Sequence, residues 1–144
     1  MAPTRTHIHK VRVYYEDTDF SGIVYHARHL QFFERGRTEA LRTLGVSHTD
    51  LLARDEPLAF VVRSMKVDWR MPAKIDDVLE VETMFKDVRG ARMFLVQAIR
   101  RPDNQGDRPL IAAADVEAAC ISLDGRARRL PQDVLDQLLA DAPQ

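Results

Sequence analysis

One segment of this chain repeats its apolar residues with the period of a helix, while most of the other ordered segments repeat them with period two. On a helix of about 3.6 residues per turn, Leu30, Phe33, Ala40, Leu41 and Leu44 share a face. Gln31, Arg35, Thr38, Glu39 and Arg42 fall opposite, and Gly45 stands where a left-handed C-terminal cap is expected. Phe32 falls on the polar side, which fits a helix covered on more than one flank. Arg37 interrupts the apolar stripe. A guanidinium buried there needs a carboxylate, because an unpaired buried charge is very costly, and Glu34 and Asp17 are the candidates.

The alternating segments lie around this helix in sequence. Ile8 to Tyr15 reads as a strand with Val11, Val13 and Tyr15 on one face. His7 and His9 share that face, but no further ligands lie at a recognisable spacing, so they read as strand-end histidines rather than a metal site. Leu58 to Val62 is apolar throughout, and Val61 to Met71 alternates, with Met65, Val67, Trp69 and Met71 on one side until Pro72 stops it. Val78 to Lys86 puts Leu79, Val81 and Phe85 inward; Gly90 marks a turn, and Met93 to Arg100 returns. Pro102 to Asp107 is a loop. Leu110 to Leu123 is rich in alanine, which favours helix, yet a helix there would leave the sheet a strand short, so strand is expected. Ser47 and Asp50 form a capping pair for a short helix. Asp124-Gly125 is a turn, and Pro131 opens a last helix with Val134, Leu135, Leu138 and Leu139 on one face. One long helix and a run of antiparallel strands make a single α+β domain over residues 1–144.

Composition excludes several function classes. Hydrophobic residues make up 45% and charged residues 30%, and the net charge is −1, which gives no electrostatic footprint for nucleic acid. No apolar run approaches the ~20 residues of a membrane span. The first ten residues, MAPTRTHIHK, hold no signal-peptide core. The single cysteine, Cys120, has no intramolecular partner, which suits a reducing compartment; a cytoplasmic location is expected.

The chemistry concentrates ahead of the long helix. Asp17 and Asp19 precede a Ser21-Gly22 step and then Ile23-Val24-Tyr25-His26. A carboxylate in a tight loop before a helix N-terminus faces a site suited to developing negative charge. Two loop aspartates on their own would usually be capping acids without chemistry. The ordered string Arg12-Val13-x4-Thr18-Asp19-x2-Gly22-Ile23-Val24-Tyr25, however, resembles the signature of the 4-hydroxybenzoyl-CoA thioesterase-like branch of the hotdog-fold superfamily. The fuller pattern "VRVYYEDTD…GIVYH…FFERGRTEAL", continued by "FVVRSMKVDW", "PAKIDD" and "RLP", is similar to its YbgC-type, Tol–Pal-associated acyl-CoA thioesterases.

That resemblance implies a hotdog fold, with the long helix wrapped by a five-stranded antiparallel sheet. It implies a homo-oligomer, a dimer or dimer of dimers, with active sites at subunit interfaces and no metal or cofactor. Asp19 is then the catalytic carboxylate, acting as nucleophile or general base on an acyl-CoA thioester. Backbone N–H groups around Tyr25 and His26 supply the oxyanion donors, and the His26 side chain binds substrate or orients Asp19. Gly22 allows the tight turn beside the acyl group, and Glu34 supports the loop. Arg28 and His29 depart from the Asn or Ser followed by Tyr of many relatives. Arg89, Arg92, Arg126, Arg128 and Arg129 are candidates, by type, for the entrance of the polyanionic CoA. Two other classes compete. A hotdog dehydratase would need a His and an acid in a different glycine- and proline-rich setting, which is not found. A non-catalytic module in membrane biogenesis, contacting acyl carrier protein, would retain only a residual acyl pocket.

Overall fold

A computed structural model describes residues 6–140. Five strands, β1 (His7–Arg12), β2 (Leu58–Trp69), β3 (Val78–Arg89), β4 (Arg92–Arg100) and β5 (Leu110–Ser122), form one sheet in the order β1-β3-β4-β5-β2. Every pairing is antiparallel. The alanine-rich segment is therefore strand β5, flanked by β4 and β2; cross-strand pairing overrides its helix propensity. β3 and β4 join through a two-residue turn at Gly90-Ala91, with Gly90 at φ +63°. β2 is one continuous strand with an irregularity between Val62 and Ser64.

The long helix, α1 (Arg28–Thr43), packs across β1, β3 and β4. Its end forms a Schellman cap: Gly45, at φ +85°, donates to the Arg42 carbonyl at 3.0 Å and Val46 to the Leu41 carbonyl at 2.9 Å. The short α2 (His48–Leu52) starts where the Ser47 hydroxyl accepts from the Asp50 N–H at 3.1 Å. α3 (Gln132–Ala140) buries Val134 and Leu138, while Leu139 is exposed rather than inward.

The buried stripe of α1 is rotated from the expected one. His29, Phe32, Phe33, Gly36, Ala40 and Leu41 face the sheet, whereas Leu30 is exposed. Both phenylalanines are wholly buried, a contribution of about 1.5–3 kcal/mol each. Gly36 stands at the centre of this face, and Arg37 falls about 100° away on its flank. The guanidinium is therefore half-buried and forms no ion pair with a carboxylate among the described residues. It donates instead to Oε1 of Gln97 on β4 at 3.0 Å. The Gln97 amide donates in turn to the Phe33 carbonyl and the Thr83 hydroxyl, both at 2.9 Å, so buried polar groups on α1, β3 and β4 satisfy one another. Neither Glu34 nor Asp17 bonds to Arg37, although, against the cost of burial, the Glu34 charge favours its ionised form.

β1 ends at Arg12, short of Tyr15, because an acid intervenes. The Asp17 carboxylate accepts from the Tyr14 N–H at 2.8 Å and turns Tyr15–Asp17 into a 3-10 turn, leaving the Tyr15 side chain exposed. β2 ends at Trp69, short of Met71; of the apolar side expected over this stretch, Met65 and Val67 are half-buried, but Trp69 and Met71 are exposed in the single chain.

Candidate active site

The acidic loop is a miniature hairpin. Thr18 bridges Val24, the Asp19 N–H donates to the Ile23 carbonyl at 2.9 Å, and the Gly22 N–H donates back to the Asp19 carbonyl at 3.1 Å. Gly22 adopts φ +82°, a conformation that a side chain would strain. The segment after Pro72 holds the outer arm in place: Val24 donates to the Ala73 carbonyl at 2.8 Å and Ile75 to the Gly22 carbonyl at 3.1 Å. The same segment bonds Val13, where Val13 N–H meets the Asp77 carbonyl and Asp76 N–H the Val13 carbonyl. The stretch "PAKIDD" thus ties the end of β1 to the acidic loop through backbone bonds.

The two aspartates occupy unlike environments. Asp17 is buried at 6% exposure and anchors the loop, with Arg28 Nε 3.4 Å from its Oδ1. Arg28 also donates to the Glu16 carbonyl at 3.1 Å, so it fastens the acidic segment to the start of α1, the task expected of Arg37. Asp19 is exposed. Its Oδ1 accepts from both the hydroxyl and, at 2.8 Å, the N–H of Ser21, while Oδ2 has no partner among the described residues. The Ser21 hydroxyl, followed by the Ser21 N–H, holds the Asp19 carboxyl below the usual carboxylate range; the nearby His26 adds to the effect.

At the start of α1 the backbone donors divide. The Tyr25 N–H, one of the expected oxyanion donors, is committed to the Asp17 carbonyl at 3.1 Å. The N–H groups of His26 and Ala27 have no acceptor among the described residues, as expected for the first turn of a helix. The Tyr25 and His26 side chains are exposed. The imidazole of His26 meets the indole of Trp69 edge-on, with centroids 5.3 Å apart. His29, buried beneath, also lies edge-on to Trp69 at 6.3 Å. Sequence reasoning missed Trp69, His29 and Ser21. The alternation of β2 placed Trp69 only on the apolar side of a strand, and the one available signal for Ser21 was its place two residues after an Asp, the spacing of an Asx turn.

Glu34 lies two turns along α1 from this cluster. It lines a groove of about 220 Å³ with Arg37, Thr38, His48 and Phe60, and makes no hydrogen bond to the acidic loop among the described residues. The five candidate entrance arginines sit at the other end of the sheet. Arg89 and Arg92 flank the β3–β4 turn and Arg126, Arg128 and Arg129 follow β5, whereas Trp69 ends β2 beside the start of β5. Arg89 is paired with Asp87, Arg92 with Glu117, Arg126 with Asp124 and Arg128 with Glu56. His7 and His9 are half-buried on β1, and among the described residues no group of three or more His, Cys, Asp or Glu is placed to hold a metal ion. No helix among them is long and apolar enough to cross a membrane.

A single antiparallel sheet with a long helix lying across it, and an acidic loop at that helix's N-terminus, defines the hotdog-fold class. Residues 13–138 match the family model of the thioesterase-like superfamily. A 4-hydroxybenzoyl-CoA thioesterase solved with 4-hydroxybenzoyl-CoA superposes with a TM-score of 0.85 at 22% identity, over 93% of this chain and 99% of that one, and supports the fold. The structure of a probable thioesterase from Bartonella henselae matches with a TM-score of 0.82 at 44% identity, over 88% of this chain and all of that one. The acyl-CoA thioesterase YbgC of Haemophilus influenzae is 47% identical over 113 residues, 78% of this chain and 79% of its own. The chain belongs to the thioesterase-like superfamily and, within it, to the YbgC group of acyl-CoA thioesterases.

Proposed function

We propose that this protein hydrolyses acyl-CoA thioesters to the free acid and CoA, with Asp19 as the reacting carboxylate. The observation that carries the reading is the Asp19 environment: one oxygen held by Ser21, the other free, beside a helix start with two unpaired N–H groups. Membership of the YbgC group supplies the thioester class. Asp19 Oδ2 either attacks the thioester carbonyl carbon, giving a mixed anhydride that water then opens, or takes a proton from the attacking water. In both routes the C–S bond breaks and the CoA sulfur leaves as thiolate. The oxyanion of the tetrahedral intermediate takes hydrogen bonds from the His26 and Ala27 N–H groups, rather than from Tyr25. Each such donor is typically worth about 10²–10³ in rate. The His26 imidazole, exposed beside Asp19, contacts the thioester or orients the carboxylate; Gly22 and Tyr25 border the acyl group, and Glu34 lies farther along α1 in a groove that none of these residues line.

The working unit we infer is a pair of chains. Asp19, Tyr25, His26 and Trp69 are open to solvent in one chain, whereas oxyanion stabilisation is strongest where water is excluded. β2 is a twelve-residue edge strand bonded on one side only. Antiparallel pairing of two such edges covers the site and brings the arginine-bearing end of one sheet beside the acidic loop of the other, where CoA phosphates need cations.

The test is Asp19→Asn, which keeps the shape and the oxygen that Ser21 bonds. Free-thiol release from a panel of aliphatic and aromatic acyl-CoAs is expected to fall by several orders of magnitude, with secondary structure and oligomeric state unchanged. Turnover near that of the unaltered protein would remove Asp19 from the chemistry, and no thiol release by the unaltered protein from any acyl-CoA would remove the activity itself.

A further inference from the structure

His29 is the buried titratable group that the proposed chemistry leaves unused. It is 2% exposed, in the first turn of α1, and its Nδ1 lies 3.1 Å from the His26 carbonyl oxygen. A carbonyl can only accept, so Nδ1 carries the proton and donates. The His29 backbone N–H donates to the same oxygen at 3.2 Å. His29 Nε2 is buried and has no hydrogen-bond partner among the described residues. Burial holds the imidazole below the ordinary histidine range, which favours the neutral form, and the bond to the carbonyl selects the Nδ1–H tautomer.

The target of that bond matters. The carbonyl of His26 and the N–H of Ala27 belong to one planar peptide unit and point in opposite directions. Fixing the oxygen fixes the direction of the N–H. Two donors on the oxygen also polarise the unit, which makes its N–H a stronger donor. The neighbouring unit is built alike, with the Tyr25 carbonyl accepting from the Arg28 N–H at 2.9 Å and the His26 N–H left free. The His29 ring also feels the Tyr25 carbonyl, but only the His26 carbonyl lies at hydrogen-bond distance from Nδ1, so the His26–Ala27 unit has a side chain as its second anchor.

We propose that His29 is a positioning residue that, through Nδ1–H on the His26 carbonyl, aims and polarises the Ala27 N–H as an oxyanion donor. The inference rests on the thioesterase reading above for what the donor stabilises, but not for the tether itself. Packing alone does not account for a histidine here. Its edge-on contacts to Phe32 and Trp69 are available to a phenyl ring, and a phenyl ring would leave no buried nitrogen unsatisfied. The side chain thus costs stability at the place where it holds the backbone.

Three variants separate this role from packing. His29→Phe removes the donor and the orphan nitrogen together. It is expected to melt no lower than the unaltered protein, while kcat for acyl-CoA hydrolysis falls about tenfold to a hundredfold and KM changes little. His29→Asn returns an N–H near the Nδ1 position and is expected to recover most of kcat. His29→Gln returns one near the Nε2 position and is expected to behave like His29→Phe. The 15N resonance of the Ala27 amide, which senses hydrogen bonding to the preceding carbonyl, is expected to shift in His29→Phe and return in His29→Asn. Unaltered kcat in His29→Phe, or equal loss in the Asn and Gln variants, overturns the inference while leaving Asp19 in place. An Ala27 resonance unmoved by His29→Phe overturns it too, and that measurement decides even if the unaltered protein hydrolyses no thioester.

Discussion

Asp17 and Asp19 differ by two positions in the sequence and by almost everything else. Asp17 is buried, bonded to backbone and near a guanidinium, so it anchors. Asp19 is exposed and keeps one oxygen free. Ser21 stabilises the ionised form of Asp19, so removing its hydroxyl makes that form less favourable and raises the pKa. In Ser21→Ala the acidic limb of the kcat/KM–pH profile, which reports the free enzyme's carboxylate, is expected to move to higher pH. Activity at a fixed acidic pH then falls, while the plateau near neutrality changes less, because the Ser21 N–H still donates. A limb that stays in place would show that another group sets it. The sequence made the two acids, Gly22 and the helix start legible because they form an ordered string. Ser21, His29 and Trp69 were not legible, because their importance lies in contacts: a hydroxyl turned back on Asp19, an imidazole on a carbonyl, and an indole brought from the far end of β2.

Among the elements, α1 carries the sharpest test of packing. A Cβ added at Gly36 would lie 2.5 Å from Val81 Cγ1 and 3.3 Å from both Thr83 Oγ1 and Gln97 Nε2. Val81 and Thr83 are wholly buried, and Gln97 is held by two donor bonds and one accepted bond. Gly36→Ala gains roughly 1 kcal/mol of helix propensity but overpacks a filled interface, at a typical cost of about 1–3 kcal/mol. Net destabilisation is expected, seen as a Tm lowered by a few degrees; a raised Tm would mean that the helix can lift off the sheet without penalty. The helix's extent and C-cap followed from periodicity and Gly45, but its rotation did not. A wheel drawn from hydrophobicity gave the centre of the face to the large apolar residues, whereas close approach to β3 gives it to the residue with no side chain. Arg37 then moves to the flank, where the Gln97 amide oxygen is within reach of its guanidinium. Strand β5 shows the opposite limit: its local composition favoured helix, and only its place between β4 and β2 makes it a strand.

At the scale of the whole molecule, the sheet ends unequally. β1 forms one edge with six residues, while β2 forms the other with twelve, bonded to β5 on its inner side only. If two copies meet along β2, as proposed, the paired state gains the hydrogen bonds and apolar contacts of Trp69 that one chain lacks. Its Tm is then expected to rise with protein concentration, because association draws on folded chains alone. A Tm constant from low micromolar to high micromolar concentration would count against pairing. The exposed residues along this edge, Arg63, Ser64, Lys66 and Asp68 among them, include charges of both signs, which disfavour indiscriminate strand addition. The open edge thereby links two properties usually treated apart. If two copies pair as proposed, dilution that loosens the pair also uncovers Asp19 and the donors beside it, so output per molecule declines as the protein becomes scarce, and abundance itself becomes a control on turnover.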